Sequence, residues 1–224
     1  MIKAIVTDIE GTTSKISFVH EVLFPYAREH MASFVTQHQT NPHVAELLLE
    51  IRRLMQNPDA SLAEVITTLE HWIDSDQKVT PLKALQGMIW QLGYVSGEFT
   101  GHVYLDAFEQ LSHWHQQGIS LYVYSSGSVS AQKLIFGFSD FGDISPLFSG
   151  YFDTNVGKKQ EAASYQTILS QLPYAAADVL FLSDVALELD AAQQAGMQTF
   201  QLIREQQDAS THSHGHTFHD IILR

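Results

Sequence analysis

The sequence has 224 residues, of which 45% are apolar and 17% charged, and its formal net charge is −13. A chain this acidic lacks the basic surface that binds nucleic acid or anionic membranes. It contains no cysteine, which excludes disulfides, cysteine nucleophiles and cysteine-ligated zinc. No apolar run approaches the ~18 residues of a membrane span, and the first residues lack the pattern of a signal peptide. We therefore expect a soluble, cytoplasmic protein with no nucleic-acid or membrane partner.

Four short apolar segments predict buried strands, and each of the first three ends in small or acidic residues. They lie at residues 2–7, 121–124, 179–182 and 199–203. Apolar side chains on both faces are typical of parallel strands that helices cover on both sides. Three- and four-residue apolar spacing predicts the intervening core helices, at residues 128–138, 161–172 and 186–195. The alternation predicts an α/β fold with a doubly wound, Rossmann-like parallel sheet.

The interval between the first two strands is far longer than the ~30 residues of a simple strand–helix–strand unit. Its apolar spacing predicts helices at residues 26–38, 42–56, 61–74, 80–92 and 104–117, with breaks at 57–59 and 93–101. The last of these helices leads directly into the second strand and so belongs to the core. We predict an α/β core domain of residues 1–17 and 101–224. An all-helical cap domain of residues 18–100 is inserted after its first strand.

An acid pair follows the first strand, in the segment DIEGTT at residues 8–13. Extended backbone alternates sides, so Asp8 and Glu10 can face the same way beyond the strand end, where open α/β sheets bind ligands. Two close carboxyl groups push their pKa values apart, which suits one ionised nucleophile and one protonated acid. The alternative is a solvated junction at which neither acid has a special role.

Hydroxyl groups and a lysine pair follow later in the chain. Ser125 and Ser126 end the second strand and can hold phosphate oxygens, although Ser126 or Ser128 can instead cap the next helix. Lys158 and Lys159 precede the helix at residue 161, where a lysine can neutralise a phosphoryl group. The alternative is an exposed lysine pair.

A second acid pair follows the third strand. Asp184 stands at the strand end, and Glu188 lies four residues later on the same face of the next helix. Carboxylate oxygens at this position suit Mg²⁺. The alternative is that Asp184 caps the helix.

These four clusters, in the order acid pair, hydroxyl, lysine and acid, resemble the motifs of the haloacid dehalogenase superfamily of phosphatases. The helical insertion resembles that superfamily's cap domain. Further segments are similar to the enolase-phosphatase E1 family. They are DIEGTT at residues 8–13, ISFVH at 16–20, LFPYA at 23–27, LQG at 85–87 with Trp90, YVYSSGS at 122–128, FDT at 152–154 and GKK at 157–159.

The resemblance implies a bifunctional enzyme of methionine salvage. Its substrate, 2,3-diketo-5-methylthiopentyl 1-phosphate, is enolised and then dephosphorylated to an acireductone. Asp8 is implied as the nucleophile that forms an aspartyl-phosphate, and Glu10 as acid and base. Lys159 is implied as the residue that balances the charge of the transferring phosphoryl group while contacting Asp8. One Mg²⁺ per chain is implied, bound by Asp8, the Glu10 carbonyl oxygen and Asp184. Glu188 is implied to orient Asp184 or a water molecule without binding the ion.

The remaining substrate contacts are also expectations. We predict that the phosphorylated diketone is the small-molecule partner of a monomer. Its predicted binding residues are Ser125, Ser126, Lys159, Lys83, Gln86, Trp90 and His20. Two of them have structural alternatives, since Trp90 can be cap core and His20 a satisfied core histidine. The base for enolisation is either Glu10 or a cap residue.

Three other functions are alternatives to this one. A phosphatase for another sugar or nucleotide phosphate would use the same core motifs. A dehalogenase would use Asp8 to attack carbon and would need neither Glu10 nor Asp184. A binding protein with an inactive site would have lost Asp8, Lys159 or Asp184, and all three are present.

The C-terminal region departs from the family pattern. After Arg204 the family has a loop containing Pro-Gly, whereas this chain has EQQD at residues 205–208, so no role is assigned to Arg204. Four histidines follow, at positions 212, 214, 216 and 219. They predict a mobile polar loop, with transition-metal binding as the alternative.

Overall fold

The computed structural model describes residues 1–204 and 208–223. The chain forms two compact units. The core unit consists of Met1–Ile16 and Thr100–Arg224, and the helical unit of Ser17–Phe99. The boundaries expected from the sequence lie one residue further along the chain.

The core unit contains one sheet of six parallel strands in the order β3-β2-β1-β4-β5-β6. The strands are β1 (Ala4–Thr7), β2 (Ser120–Tyr124), β3 (Phe148–Phe152), β4 (Val179–Ser183), β5 (Gln198–Leu202) and β6 (Ser213–Gly215). The central strands β1 and β4 are buried throughout, as their apolar sequences predict. The predicted α/β fold with a parallel sheet is confirmed.

The two edge strands, β3 and β6, were missed by the sequence analysis. An edge strand has only one neighbour, and both of these leave side chains partly or fully exposed, so their sequences lack a continuous apolar run. The predicted mobile loop in the histidine-rich tail is therefore wrong. Residues 213–215 pair with β5, and the His216 Nδ1 atom lies 3.0 Å from the Ile203 carbonyl oxygen.

In the described residues of the core unit, the α-helices are α6 (Leu105–Gln116), α7 (Val129–Gly137), α8 (Ala162–Ser170) and α9 (Ala186–Gln194). Their apolar faces pack against the sheet. The rings of Tyr124 on β2 and Phe181 on β4 both meet Tyr165 of α8 edge-on, with centroid distances of 5.5 and 5.0 Å. This packing fixes α8, and with it the loop that precedes it, against the central strands.

The helical unit begins within a short helix, α1 (Ile16–Phe18), which leads into a π-helical turn at Val19–Leu23. Its helices are α2 (Phe24–His38), α3 (Pro42–Leu54), α4 (Leu62–Asp74) and α5 (Thr80–Ser96). Asn41 caps α3, and Ser61 forms a capping box with Glu64 at the start of α4. These caps and the apolar faces account for the predicted all-helical insertion.

The helix α5 extends beyond residue 92, where the sequence predicted its end. Gly93 lies inside the helix and does not end it. A glycine is needed at this position because a side chain would collide with Tyr26 and Phe99. The helix ends instead at Gly97, whose φ of 74° is the left-handed conformation that glycine adopts readily. In residues 1–204 and 208–223, no helix has the length and apolar character needed to cross a membrane.

Candidate active site

Three of the predicted motifs lie together at one edge of the sheet. Asp8, Ser125 and Asp184 follow β1, β2 and β4, which are neighbouring strands. The carboxyl ends of these parallel strands meet at the edge where open α/β sheets bind ligands. The fold thus brings together side chains that are far apart in the sequence.

A buried ion-pair cluster occupies this edge. The Lys159 Nζ atom lies 2.6 Å from Asp8 Oδ2 and 2.7 Å from Glu188 Oε2, and the three side chains are 6%, 4% and 10% exposed. Burial alone would lower the pKa of Lys159, but the charges of Asp8 and Glu188 outweigh it and raise that pKa. Lys159 is therefore a cation fixed between two carboxyl groups.

Two tyrosines hold the loop that carries Lys159. The Tyr165 hydroxyl donates to the Lys159 carbonyl oxygen at 2.7 Å, and the Tyr124 hydroxyl donates to the Gly157 carbonyl oxygen at 3.0 Å. The Lys159 Nζ atom also lies 5.8 Å from the centre of the Tyr124 ring. Neither tyrosine was expected from the sequence to support the site. The available signal was a hydroxyl on an otherwise apolar segment, because a buried tyrosine hydroxyl needs a partner.

Glu188 makes two contacts that the sequence did not predict. The sequence placed it behind Asp184, whereas its carboxylate binds Lys159 and accepts a hydrogen bond from the Ser183 hydroxyl at 2.9 Å. Ser183, which sequence analysis also missed, accepts in turn from the Val185 backbone N–H at 3.1 Å. Burial, followed by the charge of Asp8, raises the pKa of Glu188 to about 7. Because Ser183 holds the Glu188 carboxyl group, its contact with Lys159 helps to orient the lysine.

Glu10 and Ser125 are directly connected. The Ser125 hydroxyl donates to Glu10 Oε2 at 3.1 Å and accepts from the Gly127 backbone N–H at 3.0 Å. Burial raises the pKa of Glu10, and the nearby charge of Asp8 raises it further. Glu10 thus keeps its proton at a higher pH than a free glutamate does.

The neighbouring serines differ in their surroundings. Ser126 is half-buried, and Ser128 caps α7 by accepting from the Ala131 backbone N–H at 3.3 Å. The capping alternative raised by the sequence therefore applies to Ser128. Lys158 is 84% exposed and lies 3.7 Å from Glu161, so the lysine pair divides into one solvated and one buried member.

Asp184 is 9% exposed and packs closely against Gly11. Its carboxyl group fills the space that a side chain on Gly11 would need, and the φ of 75° at Gly11 favours glycine as well. The first residue before α9 is Val185, without a side-chain cap, so the capping alternative for Asp184 is wrong.

Asp8 and Asp184 supply the hard carboxylate oxygens that Mg²⁺ prefers. Within the described part of the chain, no three His, Asp or Glu side chains are arranged to hold a metal ion. The predicted set needs only two side chains, because its third ligand is the backbone carbonyl oxygen of Glu10. The donor chemistry of these residues therefore fits Mg²⁺.

The predicted residues of the helical unit lie on two elements. Lys83, Gln86 and Trp90 are on α5, where Gln86 is 5% and Trp90 9% exposed. The Trp90 indole N–H donates to the Leu23 carbonyl oxygen at 2.7 Å, and its ring stacks on Phe24 with centroids 6.4 Å apart. These contacts give Trp90 a packing role within the helical unit.

His20 lies in the π-helical turn. It is exposed and meets the Phe24 ring edge-on at 5.6 Å. The alternative of a satisfied core histidine is therefore wrong. Residues 205–207 of the EQQD segment lie outside the described residues.

Comparison with known proteins identifies the family. A family model for haloacid dehalogenase-like hydrolases matches residues 2–196. The protein named enolase-phosphatase E1 from Citrobacter koseri is 59% identical, over 99% of this chain and 97% of its own. The protein of that name from Yersinia enterocolitica is 58% identical, over 94% and 92%. The chain belongs to the enolase-phosphatase E1 family of haloacid dehalogenase-like hydrolases.

A solved structure agrees with this assignment. The UTR4 protein of Saccharomyces cerevisiae is 32% identical to this E1-family hydrolase, with a TM-score of 0.84. The match covers 99% of this chain and 100% of the yeast chain. The likeness thus extends over both the core and the helical unit.

Proposed function

We propose that this E1-family hydrolase enolises 2,3-diketo-5-methylthiopentyl 1-phosphate and then removes its phosphate to give an acireductone. The observation that carries the phosphatase step is the pairing of Asp8 with buried Lys159, next to a glutamate whose pKa is raised. The enolase step is supported by the name and high identity of the relatives.

Asp8 is the proposed nucleophile. Its Oδ2 atom pairs with Lys159, and its Oδ1 atom accepts from the Ile9 backbone N–H at 2.8 Å. These contacts place a cation beside the Asp8 carboxyl group and fix its direction. Attack on phosphorus would break the bond to the leaving oxygen and form an aspartyl-phosphate, which divides one difficult step into two.

Glu10 is the proposed acid and base. In its protonated form it would give the proton to the leaving oxygen, and in its ionised form it would take a proton from the water that cleaves the aspartyl-phosphate. A raised pKa suits the first of these steps, because it keeps the acid form populated closer to neutral pH. Whether Glu10 also moves the enolisation proton is a separate question that its variant tests.

We also propose one Mg²⁺ per chain, held by the carboxylates of Asp8 and Asp184 and the carbonyl oxygen of Glu10. When bound, the ion supplies positive charge to the anionic phosphate. Such charge is needed because the chain has a net charge of −13. Ser125, Ser126 and Lys159 are the proposed phosphate contacts, and Lys83, Gln86, Trp90 and His20 the proposed contacts to the rest of the substrate.

The proposed setting is a monomer in the cytoplasm with a small phosphorylated substrate. Asp8, Lys159, Glu188, Glu10 and Ser125 contact one another within the core unit, so this cluster is built without a residue from a second copy. Sedimentation of the purified protein at working concentration tests the monomer, and a larger species would overturn it.

The decisive experiment follows the reaction with the diketo phosphate by ultraviolet absorption while phosphate release is measured in parallel. We expect an enol intermediate, then acireductone, then one phosphate per substrate. Phosphate release without an enol intermediate would show that the protein is a phosphatase without enolase activity. In that case a panel of sugar and nucleotide phosphates would identify the preferred ester.

Metal-stripped protein should be inactive and should recover with Mg²⁺, and full activity without metal would overturn the metal requirement.

A further inference from the structure

The end of β5 carries two buried polar side chains that the proposed reaction does not use. Gln201 is 2% exposed, and the Arg204 side chain is 6% exposed. Each contacts both a catalytic loop and the C-terminal segment, which we define as residues 208–218. Burying an arginine and an amide costs free energy unless specific partners compensate.

Arg204 joins three parts of the core unit. Its Nε atom donates to the Thr12 carbonyl oxygen at 3.1 Å, and its Nη1 atom donates to the His216 carbonyl oxygen at 3.1 Å. The same Nη1 atom lies 2.8 Å from Asp106 Oδ2 on α6. The guanidinium also stacks over the Tyr104 ring, 4.2 Å from its centre. The planar guanidinium can serve these partners together, whereas an ammonium group cannot.

The contact with Thr12 bears on Glu10. Thr12 lies two residues after Glu10 and directly after Gly11, in a tight turn where Thr12, Thr13 and Ser14 all donate to the Ile9 carbonyl oxygen. Fixing the Thr12 carbonyl oxygen therefore restrains the turn from which the Glu10 side chain projects. The Asp106 carboxylate, which pairs with Arg204, also accepts a hydrogen bond from the Phe218 backbone N–H at 2.7 Å and so connects α6 to the C-terminal segment.

Gln201 makes the corresponding connection to Asp184. Its Nε2 atom donates to the Asp184 carbonyl oxygen at 3.1 Å and to the Asp208 carbonyl oxygen at 3.3 Å. Its Oε1 atom accepts from the Ser210 backbone N–H at 2.8 Å. One amide thus fastens the backbone of Asp184 to the start of the C-terminal segment.

We propose that Arg204 and Gln201 are positioning residues through which the C-terminal segment holds the Glu10 loop and the Asp184 loop in their working geometry. The inference rests on the proposed function, since it assigns these residues to the acid–base group and a metal ligand of that reaction. It predicts separate defects, because Arg204 acts on the Glu10 side and Gln201 on the Asp184 side.

Arg204→Lys and Arg204→Met test the first half. Both should lower kcat by about tenfold or more with little change in KM, because small misplacements of catalytic groups cost up to about 10²-fold. A merely structural role predicts that lysine, which keeps the charge beside Asp106, restores both melting temperature and kcat. That result would overturn the inference for Arg204.

Gln201→Met tests the second half through metal binding to the purified protein, measured by calorimetry with Mg²⁺ alone. We expect weaker binding by about tenfold, at the low end of losses seen when supports of metal ligands are removed. Unchanged Mg²⁺ affinity in the folded variant would contradict the inference for Gln201.

A control variant separates positioning from lost stability. Leu172 is 8% exposed in the core cluster that includes Tyr165, and Leu172→Ala should lower the melting temperature without changing kcat below the transition. An inactive wild-type protein would overturn the proposed function. An active wild-type protein with fully active Arg204 variants would overturn only the inference.

Discussion

The catalytic edge of the core unit and the helical unit hold their ion pairs in different environments. At the catalytic edge of the core, Lys159 is 6% exposed and pairs with two buried carboxyl groups. In the helical unit, Arg28 is 39% exposed and pairs with Glu70 and Asp74 at 3.1 and 3.0 Å. Removing buried charges from water is costly, whereas exposed ion pairs contribute little to stability. Ion pairs of similar length therefore differ in the free energy that is needed to form them. The buried cluster is the costly one, so it needs a functional explanation.

The largest effect is expected for Asp8→Asn, which removes the nucleophile from the buried cluster. The amide cannot form the aspartyl-phosphate, so phosphate release should fall by about 10³-fold or more, as when other nucleophiles are removed. The measurement is phosphate release under single-turnover conditions, with circular dichroism to show that the fold persists. Substantial activity in this variant would remove Asp8 from the mechanism.

Glu10→Gln should follow, with a loss of phosphate release of about 10²- to 10⁴-fold, the usual contribution of a general acid–base group. Exchange of the substrate's carbon-bound proton, measured by nuclear magnetic resonance, sharpens this result. Loss of exchange together with phosphate release would assign both steps to Glu10. Retained exchange would assign enolisation to another residue, with the helical unit as the place to search.

Lys159→Ala and Lys158→Ala compare buried and exposed members of the same sequence pair. Loss of Lys159 leaves Asp8 and Glu188 buried without their cation, at a cost of about 3–5 kcal/mol in the free energy of unfolding. We expect Lys159→Ala to lose most activity and Lys158→Ala to resemble wild type. Steady-state rates and urea unfolding of both variants provide the test, and the opposite ranking would refute the assignment.

The raised pKa values of Glu10 and Glu188 predict how stability changes with pH. The folded protein binds their protons more tightly than the unfolded chain, whose glutamates titrate near 4.5. The stability that Glu188 contributes by holding its proton is therefore complete below that pH and is lost as the pH rises through its folded pKa of about 7. The raised pKa of Glu10 adds a decline of the same sign. Urea unfolding of metal-free protein should show this decline. Glu188→Gln should flatten it, and an unchanged slope would contradict the raised pKa.

The smallest effect is expected for Arg28→Ala in the helical unit. Its ion pairs are exposed, so the free energy of unfolding should change by less than about 1 kcal/mol. Turnover should be unchanged, as measured beside Lys159→Ala under the same conditions. A loss of stability or turnover comparable to that of Lys159→Ala would contradict the expected difference between buried and exposed ion pairs.

The sequence by itself determined the α/β class, the helical insertion and the places where polar residues follow strands. These features are encoded locally, since buried parallel strands need apolar runs and amphipathic helices need three- and four-residue spacing. Asp8, Glu10, Ser125, Lys159 and Asp184 could be selected because each stands next to a predicted strand end or helix start. The family resemblance added the roles that local pattern could not assign.

Only the tertiary structure decided how these side chains are paired. Ser125 bonds to Glu10 across 115 positions of sequence, and Arg204 reaches Thr12 across 192. The sequence also left undetected the edge strands β3 and β6, whose pairing depends on neighbours rather than on their own apolar character. Glu188 turns to Lys159 because α8 and α9 pack on the same sheet and bring the two charges into contact. Local sequence sets which groups are available, and long-range packing sets which of them meet.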